Sequence, residues 1–191
     1  GETLESSLQA MVPISVRTED QKGAMGNQVS SLLVSLASDI DDPVERLHAI
    51  TQGTQGAKDQ EKAIGAATLT SEWAEFAAPA LAARAARLYS RTKVADRARP
   101  LFNVTISNVP GPNFPLYSAG ARMVAMYPMG PIADGAALNI TVMSYMGTVY
   151  FGLVADRDAV PKVADIAGYV DGALSELKKA ADQPSGAPTP A

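Results

Sequence analysis

Cysteine is absent from the 191 residues, and histidine occurs once, at His48. Without thiols there is no disulfide scaffold, no cysteine nucleophile and no zinc site built from Cys and His. A single imidazole likewise excludes a histidine-rich metal centre. Charge is sparse and slightly negative: 16 basic against 20 acidic side chains give a net charge of −4. The chain therefore has no overall attraction for phosphate backbones, and nucleic acid is not an expected partner. No uninterrupted apolar run approaches the roughly 18 residues of a spanning helix. The first residues, Gly1 to Glu5, are acidic where an export signal would be basic and then apolar. The chain opens on Gly1 within what reads as the tail of a helix (Leu4, Leu8), and is expected to be a processed piece of something longer.

What is present is apolar content: 47% of residues are hydrophobic, enough for one ample core or two small ones. Met11 to Val16 and Val29 to Leu36 read as strands around a glycine-containing loop, Arg17 to Asn27. Asp42 before Pro43 is an N-cap followed by proline in the first turn, predicting a helix from Pro43 to about Ala66, weakened at Gly53 and Gly56. Thr70-Ser71-Glu72 opens a second, alanine-rich helix with the stripe Trp73, Phe76, Ala77, Ala80, Leu81 and Leu88, which Pro79 should kink. Between Arg84 and Arg99 lie six basic residues against one acid, and Arg84, Arg87 and Arg91 share a helical face.

From Pro100 the period changes from 3.6 to 2. Phe102, Val104 and Ile106 alternate with Asn103, Thr105 and Ser107, so one strand face is apolar and the other is a row of small hydrogen-bonding groups. Val109-Pro110-Gly111-Pro112 ends that strand. Ala121 to Tyr127 is a further expected strand, closed by Pro128-Met129-Gly130-Pro131. Leu138 to Tyr145 and Thr148 to Val154, separated by Met146-Gly147, form a two-residue hairpin. A last helix begins at Pro161 with Val163, Ile166, Val170, Leu174 and Leu177 on one stripe. The tail from Pro184, with three prolines in eight residues, should not pack. These elements imply one α/β domain with a mixed sheet over residues 1–181 and a flexible tail over 182–191.

Catalysis of group transfer needs a group near neutral pKa, a metal or an activated nucleophile. His48 lies within a helix among Val44, Leu47 and Ile50, and reads as a helical surface residue. The G-x-S-x-G elbow, the P-loop and G-x-G-x-x-G are all missing. Asp156, Asp158 and Asp165 are explained by capping of the final helix better than by a metal. The polar rows are the remaining candidates: Asn103, Thr105, Ser107 and then Asn108 on or beside one face of one strand, and Asn139 and Thr141 on another. Such rows are costly to bury unless they meet ligand, water or one another. Two readings stay open, a solvated sheet face and a substrate tunnel whose donors orient a carbonyl or hold an oxyanion. A nucleophilic Ser107 acting alone has no base in sight.

Asn103 to Pro112 (NVTISNVPGP), Tyr127 to Ile132 (YPMGPI), Asp134-Gly135 with Leu138 to Tyr145 (LNITVMSY) and Phe151 to Val160 (FGLVADRDAV) closely resemble the C-terminal half of the bacterial wax ester synthase/diacylglycerol acyltransferase family. Met11 to Arg17 (MVPISVR), Gly26 to Leu36 (GNQVSSLLVSL) and Asp42 to Leu47 (DPVERL) match as well, so the resemblance covers nearly all of the chain except its tail.

The resemblance implies half of a fold like that of chloramphenicol acetyltransferase and condensation domains, two related halves with a tunnel between them. It implies transfer of a fatty acyl group from acyl-coenzyme A, a substrate and not a cofactor, to diacylglycerol or a fatty alcohol. The family's H-H-x-x-x-D-G motif belongs to its N-terminal half and is not in this chain, where Asp134-Gly135 stands without histidines. The family's asparagine-aspartate motif is missing as well. The expected partner is therefore an N-terminal half bearing the base, and this chain alone is expected to be inactive. Ser107 and Asn108 are then candidates for contacts near the acyl carbonyl, Asn103 and Thr105 for the same wall, and Asn139, Thr141 and Ser144 for shaping the acceptor side. The Arg84, Arg87 and Arg91 stripe suits either an anionic surface or a solvated helix face; the expected location is cytoplasmic and, on the first of these readings, peripheral on the inner membrane or on lipid droplets. A non-catalytic lipid- or protein-binding module on the same half-fold is the alternative.

Overall fold

The structure, a computed structural model, describes residues 6–15, 29–64, 101–132 and 136–182. Several expectations fall outside these residues: the loop from Arg17 to Asn27, the helix with Trp73, the stripe of Arg84, Arg87 and Arg91, the Asp134-Gly135 pair and the tail from Pro184.

Seven strands and two helices are described: β1 (Gln9–Ser15), β2 (Val29–Ser35), α1 (Pro43–Ile64), β3 (Val104–Val109), β4 (Tyr117–Ser118), β5 (Ala121–Arg122), β6 (Leu138–Tyr145), β7 (Thr148–Ala155) and α2 (Val163–Asp182). Five strands form one mixed sheet in the order β2-β1-β3-β6-β7, and β4 pairs with β5 apart from it. The β1/β2 and β6/β7 pairs are antiparallel, whereas β3 runs parallel to both β1 and β6. The fold is thus the mixed α/β class expected.

Local chemistry sets most of the element ends. The Asp42 carboxylate accepts the amides of Val44 at 2.9 Å and Glu45 at 2.8 Å, capping α1 as Pro43 enters its first turn. The β6–β7 hairpin turns on Met146 (φ 50°) and Gly147 (φ 78°), the paired left-handed residues that match strand twist. The helix α2 starts at Val163, two residues later than expected. Asp156 caps an isolated preceding turn through the amides of Asp158 and Ala159, both at 2.9 Å. Its end at Asp182 lies one residue into the expected tail.

Strand alternation gives the sheet two different faces. On one, Ala10, Leu32, Val34 and Val104 are buried, and α1 packs on β2 there. The register puts Thr105, Asn139 and Gly152 on the other face, with Thr141 and Tyr145. That face is covered by the connection between β3 and β6. The expected strand over Ala121 to Tyr127 is only Ala121–Arg122. Beyond it the chain bonds to the sheet through side chains and makes no ladder, and Pro128 and Pro131 bring no amide hydrogen.

Candidate functional site

β1 and β3 pair only at Ala10↔Val104 and Met11↔Thr105. Two residues further along β1 stands Pro13, which has no amide hydrogen to continue the ladder. The stretch of β3 from Ile106 to Val109 therefore has β6 on one side and no paired strand on the other among the described residues. Ser107 is half-buried at this split, and the next residue, Asn108, is exposed on the opposite face. Neither side chain hydrogen-bonds another described residue.

The remaining polar candidates are committed within the structure. Asn103 precedes β3, where its Oδ1 accepts the Gln9 amide at 2.8 Å and its own amide donates to the Gln9 carbonyl at 2.8 Å. Thr105 is buried as the register partner of Asn139. Asn139 and Thr141 were expected to shape the acceptor side, yet they are 4% and 5% exposed. The Thr141 hydroxyl donates to Asn139 Oδ1 at 2.7 Å, and Asn139 Nδ2 donates to the Pro131 carbonyl at 3.0 Å. Buried polar groups must find partners. Here they find each other and the chain folded over them, so in this structure their role is to hold that chain. Ser144 does the same at the end of β3, its Oγ accepting the Gly111 amide at 3.1 Å.

Two tyrosines and two glycines complete this clamp. The hydroxyl of Tyr145, the most deeply buried large side chain among the described residues, accepts the Leu116 amide at 2.9 Å and donates to the Met123 carbonyl at 3.1 Å. Tyr150 donates to the Val124 carbonyl at 3.3 Å and packs edge-on against Tyr127, ring centroids 5.3 Å apart. A Cβ on Gly130 would lie 2.6 Å from Asn139 Oδ1 and 2.8 Å from Thr141 Oγ1. One on Gly152 would run into the Pro128 carbonyl. The segment from Gly111 to Ile132 is thus strapped across β6 and β7 from end to end. Reading the sequence for polar rows missed these four residues, although a glycine in mid-strand opposite Thr141 is itself a mark of close backbone approach.

His48 is exposed on α1, whose packing is against β2, two strands from β3. No group of three or more His, Cys, Asp or Glu side chains among the described residues could hold a metal. No described helix is long and apolar enough to cross a membrane.

Comparison with known proteins agrees on one assignment. The sequence model of the WS/DGAT C-terminal domain matches residues 25–178. Among curated proteins, two Mycobacterium tuberculosis chains assigned as diacylglycerol O-acyltransferases are similar: Rv3480c, 37% identical over 94% of this chain, and Rv3740c, 40% identical over 92%. The alignments take in 35% and 38% of those proteins, so the chain spans little more than a third of their length. Among solved structures, the wax ester synthase/diacylglycerol acyltransferase from Marinobacter aquaeolei VT8 superposes with a TM-score of 0.66 at 32% identity, over 95% of this chain and 39% of that one.

Proposed function

The chain belongs to the wax ester synthase/diacylglycerol acyltransferase family, of which it is a C-terminal domain, and on that premise we propose that it forms one wall of the substrate tunnel of an acyl-coenzyme A-dependent O-acyltransferase. The acceptor is the hydroxyl of diacylglycerol or of a fatty alcohol. That hydroxyl attacks the thioester carbonyl, a histidine of the N-terminal domain takes its proton, and the tetrahedral oxyanion collapses with departure of the coenzyme A thiolate. This chain's part is electrostatic and positional. Ser107, at the split between β1 and β3, donates its hydroxyl to the carbonyl oxygen as negative charge develops there, whereas Asn108 faces the other side of the sheet and takes no part in that contact. Thr105, Asn139 and Thr141 act one step back, fixing the strap that borders the tunnel.

The observation that carries this reading is similarity to acyltransferases along nearly the whole chain, joined to a half-buried hydroxyl, Ser107, at the split between β1 and β3. The test is turnover of radiolabelled acyl-coenzyme A with diacylglycerol or hexadecanol. The 191-residue chain alone should give none, and the complete polypeptide carrying its N-terminal domain should give ester. Turnover by the isolated chain would overturn the division of labour. An inactive complete polypeptide that still binds lipid would favour the non-catalytic module.

A further inference from the structure

Between β3 and β6 the strap presents the wrong side to water. Its inner surface is the polar one, engaged with Asn139, Thr141, Tyr145 and Tyr150. Its outer surface carries Phe114, Tyr117, Val124, Tyr127 and Met129, all more than 60% exposed, with Val124 and Met129 at 84%. From Gly111 to Ile132 the only charged side chain is Arg122. Solvated surfaces typically carry about a quarter to a third charged residues, and contiguous exposed apolar patches mark interaction sites.

Resting on the acyltransferase reading above, we propose that this outer surface is where the N-terminal domain of the same polypeptide docks. The occupant follows from three observations. The chain spans only 35% to 39% of the relatives it matches, so a body of protein larger than this domain accompanies it in them. The strap is irregular chain with little ladder of its own, and its exposed backbone groups could not be left unpaired in hydrocarbon, which rules against a bilayer as the cover. It is also rigid before docking. Its four prolines, Pro112, Pro115, Pro128 and Pro131, together with the clamp bonds at both ends and in the middle, leave little freedom to lose on association.

The test uses the absence of cysteine. Val124→Cys, Met129→Cys and, as a reference on α2, Leu174→Cys each give this domain one thiol. In this structure Met129 is 84% and Leu174 49% exposed, so an uncovered strap labels with a bulky maleimide at least as fast as α2. In the complete polypeptide, docking should slow Val124→Cys and Met129→Cys at least tenfold relative to Leu174→Cys, read by peptide mass. In the 191-residue chain alone the order should return. Equal rates in the complete polypeptide overturn the proposal. So does protection in the isolated chain that grows with its concentration, which marks a second copy, or that needs phosphatidylcholine vesicles, which marks a lipid surface. Acyl transfer measured on the same samples separates the two claims. Protection without transfer leaves the docking surface and removes the acyltransferase reading, and transfer without protection does the reverse.

Discussion

Replacing Tyr145 by Phe removes one oxygen from the least exposed large side chain in the described structure and leaves its packing volume intact. That oxygen stands in the mouth of the β4–β5 turn. It takes the Leu116 amide at 2.9 Å and gives its proton to the Met123 carbonyl at 3.1 Å, while the Met123 amide donates to the Leu116 carbonyl at 2.8 Å. Each lost bond is worth about 1 kcal/mol net, and a fully orphaned buried group would add about 1 to 3 kcal/mol. Leu116 and Met123 are half-buried, so water reaches part of what the hydroxyl leaves. The expected loss is therefore about 2 to 3 kcal/mol, or about 4 to 12 °C in Tm at this chain length. Urea unfolding gives the global figure, and amide exchange at Leu116 shows whether the strap opens before the sheet does. Tyr150→Phe is the internal control, since its bond is 3.3 Å long and exposed and should be worth less than about 0.5 kcal/mol. If Tyr145→Phe is as mild as Tyr150→Phe and leaves Leu116 protected, the clamp does not hold the strap.

Gly152→Ala should destabilise by about 3 kcal/mol, because the new methyl meets the Pro128 carbonyl and the strap must lift. Gly53→Ala, whose Cβ would meet nothing within 4 Å in α1, should stabilise by about 0.5 to 1 kcal/mol, and thermal melts of the pair read the difference. Asp42→Ala leaves the Val44 and Glu45 amides uncapped and should cost about 1 kcal/mol in urea unfolding, with Asp42→Ser restoring most of it. On the proposed function, Ser107→Ala in the complete polypeptide should lower turnover by about two orders of magnitude or more, the loss of one oxyanion donor, with Tm almost unchanged. A stability drop near 1 kcal/mol with full activity would return Ser107 to a structural role.

The parts of this fold that a sequence shows are those whose causes are local. Asp42-Pro43 fixes the start of α1 within four residues, and Met146-Gly147 fixes the β6–β7 register because both residues take positive φ. Alternation placed Thr105 with Ser107, and Asn139 with Thr141, but it could not say that the two rows adjoin. That depends on a parallel pairing of β3 with β6, Thr105 opposite Asn139, across more than thirty residues of intervening chain. Nor could alternation show what covers the rows. Ala121 to Tyr127 has strand composition and fails to be a strand because its carbonyls at Met123 and Val124 are taken by tyrosine hydroxyls from β6 and β7.

The same fact explains why the buried part of the polar row, Asn139 and Thr141, is bonded to the chain folded over it. A chain folded onto a sheet in water normally turns its apolar side chains in and its polar groups out. This one is inverted: carbonyls, amides and a glycine face Asn139, Thr141 and Tyr145, while Val124 and Met129 face away. Polar contacts are favoured inside such a strap because they fix its position, each bond having one geometry, whereas apolar packing tolerates sliding. A layer held in fixed position with its apolar side outward is complete only when a second apolar layer lies upon it. The inversion thus links the buried polar row to the exposed apolar one. On the docking proposed above, a change that frees the strap from β6 should weaken that contact even though it touches no residue of the surface, read as faster maleimide labelling of Met129→Cys in the complete polypeptide.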